Sequence, residues 1–99
     1  MFFIRADING GVAECRRTPG AVLLDVREPE EFQSGRIPGA VNLPLSRIRE
    51  AGFEKDTPIF VYCLRGTRSL RAVSELRRMG CEKAKSIGGI ARYTGALER

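Results

Sequence analysis

The 99-residue sequence contains no histidine and no tryptophan, and its three cysteines, Cys15, Cys63 and Cys81, include no C-x-x-C pair. Without histidine there can be no imidazole base, no Ser-His or Cys-His dyad and no His-containing zinc site. An odd cysteine set without close pairs suggests neither a disulfide framework nor a structural zinc site, and it fits a reducing compartment. Long apolar runs are also missing. The opening Met1-Phe2-Phe3-Ile4 is broken by Arg5 and Asp7, far short of a secretory core region or the roughly 20 residues of a membrane span. We expect a cytoplasmic protein with no membrane partner, no metal and no cofactor.

Acidic residues are outnumbered, 12 against 17 Lys+Arg, for a formal charge of +5. That excess does not make the chain a nucleic-acid binder. Between Leu64 and Met79 stand Arg65, Arg68, Arg71, Arg77 and Arg78 against Glu75 alone, so +4 of the excess lies in one segment, placed for a small anion. With 42% hydrophobic and 29% charged residues, and no polar low-complexity tract, residues 1–99 read as one globular domain.

Five short apolar runs alternate with helical patterns. The runs are Phe2 to Ile4, Ala21 to Val26, Ala40 to Leu43, Ile59 to Tyr62 and Ala84 to Ile87. Runs apolar on both faces suit buried parallel strands. Helical patterns cover Asp7 to Arg17, the segment opened by Glu28-Pro29-Glu30-Glu31 and stopped at Gly35, a short turn at Ser46 to Ala51, and a last short helix at Gly89 to Leu97. The clearest helix runs from Gly66 to Met79, with Leu70, Val73 and Leu76 as its apolar stripe and Gly80 as its stop. Strands alternating with helices imply an α/β fold: a central, mostly parallel sheet of about five short strands with helices on both faces. Ligands in such folds bind at the carboxyl ends of strands.

The strand feeding the clearest helix ends in Cys63-Leu64-Arg65-Gly66-Thr67-Arg68-Ser69. A tight loop running into a helix N-terminus turns unpaired backbone N–H groups inward and adds the positive end of the helix dipole. Such a cradle favours a thiolate without any imidazole. Leu64, Arg65, Gly66, Thr67 and Arg68 are therefore the expected anion-binding loop around a nucleophilic Cys63. Gly66 permits a positive φ, and Thr67 or Ser69 offers a hydroxyl.

These features, together with Leu24-Asp25-Val26-Arg27-Glu28, Gly35-Arg36-Ile37-Pro38-Gly39-Ala40-Val41-Asn42-Leu43-Pro44 and Gly88-Gly89-Ile90, resemble the single-domain rhodaneses, a sulfurtransferase family. The ordered set spans nearly the whole chain. The resemblance implies a thiosulfate sulfurtransferase: the Cys63 thiolate takes sulfane sulfur from thiosulfate or a similar anionic donor, and a thiophilic acceptor removes it from a persulfide. That acceptor is cyanide in assay, and a cellular thiol or a sulfur-relay protein otherwise. It also implies that Asp25 and Arg27, at the end of the second strand, form a bracing ion pair with a possible part in donor binding.

Cys63 and Arg68 are spaced C-x4-R, whereas related phosphatases and arsenate reductases use C-x5-R, which would place arginine at Ser69. The shorter loop disfavours phosphoryl chemistry. A non-catalytic binding module is the other alternative, although members of that kind typically lack the loop cysteine. Arg36 stands where relatives commonly have histidine, and Tyr93 where many have tryptophan. Cys15 and Cys81 read as inert.

Overall fold

In a computed structural model, described for residues 7–99, four parallel strands form one sheet in the order β2-β1-β3-β4. The strands are β1 (Val22–Asp25), β2 (Val41–Asn42), β3 (Ile59–Cys63) and β4 (Ala84–Gly89), joined by helices α1 (Ile8–Arg17), α2 (Pro29–Ser34) and α3 (Thr67–Arg78) and by 3₁₀ helices at Leu45–Glu50 and Ile90–Arg92. The expected α/β architecture is therefore present. The fifth strand expected at Phe2 to Ile4 lies outside the described residues. No helix among the described residues is long and apolar enough to cross a membrane.

β3 shows how the sequence builds two cores at once. All five of its residues are buried, and because side chains alternate across a strand they divide between the two faces. Ile59, Val61 and Cys63 join Leu24, Ala72 and Leu76 beneath α3, while Phe60 and Tyr62 join Ile8, Val12 and Ile87 beneath α1. An alternating polar strand would leave one face without a core. This one covers both, as a parallel sheet sandwiched by helices requires.

Helix ends follow local chemistry. The carboxylate of Asp7 accepts the Asn9 N–H at the start of α1. α2 begins with a reciprocal capping box between Glu28 and Glu31, with Pro29 in its first turn. α3 ends before Gly80, which takes φ +100, a left-handed conformation natural to glycine.

Two expectations are corrected. The buried face of α3 is Ser69, Ala72, Val73 and Leu76, and Leu70 is 65% exposed. At 3.6 residues per turn that face is i, i+3, i+4, i+7, and the position on it one turn before Val73 belongs to a serine whose polarity conceals its burial. The last helix is also shorter than Gly89 to Leu97, reduced to Ile90–Arg92. Beyond it the Asn9 side chain takes the Thr94 N–H and hydroxyl, and Arg36 and Glu98 form an antiparallel bridge that holds the tail extended.

Replacing Leu70 by Gln should change unfolding free energy by less than about 0.5 kcal/mol, whereas Leu76→Ala, at a fully buried position, should cost about 2–5 kcal/mol. Urea titration of both variants checks the assignment of faces.

Candidate active site

Cys63 is the last residue of β3 and only 1% exposed. Its Sγ accepts two backbone N–H groups, from Gly66 at 3.0 Å and from Ser69 at 3.3 Å. Two fixed backbone dipoles thus converge on the sulfur without any side-chain partner. The loop can close on its own sulfur because Gly66 adopts φ +108, a conformation that a side chain would strain. Ser69 is the third residue of α3, and its N–H belongs to the first-turn amides that lack a helix acceptor.

Behind the loop a short relay of hydroxyls fixes its position. The Ser69 hydroxyl donates to the Gly66 carbonyl at 2.8 Å and lies 2.7 Å from Ser86 Oγ, which accepts the Gly88 N–H at 3.4 Å. β4 and the 3₁₀ helix after it also support the loop directly. The Ala91 N–H donates to the Leu64 carbonyl, and a Cβ on Gly89 would lie 2.2 Å from that same oxygen. The Gly88-Gly89 pair therefore has a packing role: Gly89 leaves room for the cysteine loop.

The expected partners of Cys63 fall into three groups. Leu64, Arg65, Thr67 and Arg68 surround a small opening of about 230 Å³ that reaches Cys63. Arg68 is not free in that opening, because its guanidinium grips the Glu31 carboxylate with two bonds of 2.7 and 3.0 Å. This pair holds Glu31 well below the usual carboxylate range, at about 2, and pushes Arg68 upward. Arg65 is exposed and has no carboxylate within ion-pair distance among the described residues.

Asp25 and Arg27 form the expected brace, away from the mouth. Arg27 donates from Nε and Nη2 to the Asp25 carboxylate, at 2.6 Å for the shortest bond, and also to the Gly35 carbonyl at 2.7 Å. Burial draws the Arg27 guanidinium down, but Asp25 outweighs it and the net direction is upward. Next to this pair, burial and then the Asp25 charge push the Tyr62 phenol up, so its hydroxyl stays protonated while accepting the Ile37 N–H. Asn42 closes the arrangement by donating to the Asp25 and Arg27 carbonyls. These contacts tie the loops after β1 and β2 together. Among the described residues no buried side-chain polar atom lacks a partner.

The remaining singled-out residues lie elsewhere. Arg36 stacks on the Phe32 ring at 5.0 Å and meets Glu98 at 3.4 Å. Tyr93 packs against the core beneath α1. Burial pushes the Cys15 thiol up, which keeps it protonated and unreactive. Sequence reasoning missed Glu31, Ser86 and the packing role of Gly89. The acidic first turn of α2 was visible, but its partner Arg68 is 37 residues away.

Glu31 contributes stability that is complete above its unfolded value of 4.5 and is lost as pH falls through about 2. Solvent screens a pair about a third exposed on both sides, which limits its worth to about 1 kcal/mol. Arg68→Met should return the Glu31 carboxyl toward 4.5, observable by NMR titration of its side-chain carbon, and should remove that acid-side stability. Gly89→Ala should cost about 1–3 kcal/mol, since the new methyl meets backbone rather than a yielding side chain. It should also displace the loop amides from Cys63, which chemical-shift changes at Gly66 and Ser69 would report.

Comparison with known proteins agrees with this geometry. The family model for the rhodanese-like domain matches residues 11–96. The chain is 41% identical over 81 residues to the uncharacterized protein YqhL of Bacillus subtilis, covering 79% of this chain and 64% of that protein, and so spans somewhat less than two thirds of it. It is 38% identical over 81 residues to the thiosulfate sulfurtransferase GlpE of Pseudomonas syringae, covering 78% of this chain and 74% of that one. A solved structure described as rhodanese with anions from E. coli superposes with a TM-score of 0.73 at 30% identity, over 80% of this chain and 98% of that chain. With a buried strand-end cysteine held by its own loop amides, and relatives matched over most of its length, the chain belongs to the rhodanese-like domain family.

Proposed function

We propose that this domain is a sulfurtransferase that carries sulfane sulfur as a persulfide on Cys63. The observation that carries this reading is the pair of N–H bonds to Sγ at the end of a buried strand. A sulfur nucleophile must be available as thiolate, and here backbone dipoles supply what histidine supplies elsewhere.

In the first step the Cys63 thiolate attacks the outer sulfur of thiosulfate. A new S–S bond forms, the bond to the sulfonate sulfur breaks, and sulfite departs with its electron pair, leaving the Cys63 persulfide anion. In the second step an acceptor attacks the outer persulfide sulfur and restores the thiolate. Cyanide yields thiocyanate, and a cellular thiol or relay protein leaves as its own persulfide. No proton donor is needed for either departure. Arg65 is exposed at the mouth with no carboxylate partner among the described residues, suited to attract an anionic donor, and the first-turn amides of α3 add partial positive charge. Arg68 acts differently: with both its forks on Glu31 it shapes the wall. The same pairing argues against phosphatase chemistry, which requires a free arginine for the phosphoryl oxygens. Asp25 and Arg27 act by bracing, since their charges are spent on each other and on Gly35.

Incubation with thiosulfate should add the mass of one sulfur atom to Cys63, and cyanide should remove it. The Cys63→Ser protein should take up none, and label persisting in it would overturn the assignment. Steady-state kinetics with thiosulfate and cyanide should give parallel double-reciprocal lines, the signature of a covalent intermediate. Arg65→Ala should raise KM for thiosulfate several-fold, by about 1 kcal/mol of lost ion pairing at an exposed site, with kcat changed little.

A further inference from the structure

A depression larger than the mouth at Cys63 lies beside α3. It is a groove of about 670 Å³ between α3 and the 3₁₀ helix Leu45–Glu50, with Leu45, Arg49, Arg68, Arg71, Glu75 and Arg78 among its walls. Along α3 its residues 68, 71, 75 and 78 fall at i, i+3, i+7 and i+10, a single stripe along one side of the helix. Arg71 and Arg78 have no carboxylate within ion-pair distance among the described residues, and Arg49 reaches Glu75 only at 3.5 Å from a side chain 79% exposed. Arg68 lines both this groove and the opening to Cys63, so the groove leads to the reactive sulfur.

We propose that this groove docks an acidic, extended segment of the protein that receives sulfur from Cys63, a proposal that rests on the persulfide reading above. The stripe from Arg68 to Arg78 is about 15 Å long at 1.5 Å per residue, which four or five extended residues would span. Carboxylates on such a segment would meet Arg71 and Arg78, and Leu45 offers an apolar contact between them. A nucleic-acid strand fits less well. Among the described residues no aromatic side chain lines the groove for bases to stack on.

The test uses the full chain, loaded with thiosulfate and freed of excess donor. Discharge is followed in single turnover with two synthetic peptide thiols, one carrying four glutamates beside leucine and cysteine and the other with lysines in place of the glutamates. At low ionic strength the acidic peptide should react about tenfold faster, and high salt should remove the difference. The double variant Arg71→Glu/Arg78→Glu should abolish the preference while leaving discharge by cyanide unchanged. Equal rates for the two peptides, or a preference that survives the double variant, would overturn the proposal. Binding of a fluorescent acidic peptide with serine in place of cysteine, measured by anisotropy on wild type and double variant, tests the groove independently of sulfur chemistry. If thiosulfate fails to load Cys63 while that binding persists, the sulfur-transfer reading fails and the acidic site stands. A single-stranded oligonucleotide that displaces the peptide at lower concentration would reassign the groove to nucleic acid and overturn the acidic-protein proposal.

Discussion

Two N–H···S bonds onto Cys63 set the constraint that the surrounding structure serves. A buried sulfur is unfavourable as an anion unless fixed dipoles point at it, and this chain has no imidazole to share the task. The amides of Gly66 and Ser69 converge only if the loop turns sharply, which requires the left-handed backbone of Gly66. The loop keeps that turn because Ser69 is buried and hydrogen-bonded toward β4, and because Gly89 has no Cβ to push Leu64 away. The amides that point at Cys63 thus belong to backbone whose position is fixed from β4, the strand paired with its own.

Charge around the cysteine loop and along α3 divides into three groups that a net value of +5 conceals. Asp25 and Arg27 lie buried beneath the loops, with the Arg27 guanidinium held by the Asp25 carboxylate and the Gly35 carbonyl. Glu31 and Arg68 neutralise each other at the rim. Among the described residues, Arg65 at the opening and, further along α3, Arg71 and Arg78 have no carboxylate within ion-pair distance. A small anionic donor needs little more than one cation and a ring of amides. A protein acceptor, whose recognition must extend beyond the reacting atom, needs charges further away, which is how these arginines are distributed.

Most of the fold was readable in the sequence because its determinants are local. Apolar runs on both faces of β1 and β3, the acidic, proline-bearing first turn of α2 and Gly80 after α3 each depend on a few adjacent residues. The cysteine loop was readable for the same reason, since strand, loop and helix are contiguous. What escaped depended on partners distant in sequence. Leu70 looked like core, yet Ser69 took the buried position because its hydroxyl pairs with that of Ser86, 17 residues later. Arg68 looked like a substrate ligand, yet Glu31 claims it across 37 residues. The tail after Arg92 had a helical pattern, but its amides and side chains are taken by Asn9 and Arg36. In each case a long-range polar contact overrode a local apolar or charge pattern.

The burial of Cys63 also bears on the order of events in the proposed cycle. At 1% exposure the sulfur offers little of itself to a bulky acceptor. Loading moves the reactive centre outward by one S–S bond, about 2.05 Å, from the enclosed Sγ into the opening bounded by Leu64, Arg65 and Thr67. The resting thiolate is then accessible to a slender donor, whereas the persulfide presents its outer sulfur where a thiol on a larger partner can reach it. On this reading the enclosed position of the nucleophile and the open groove beside it are complementary: one restricts who may deliver sulfur, and the other widens the choice of who may collect it.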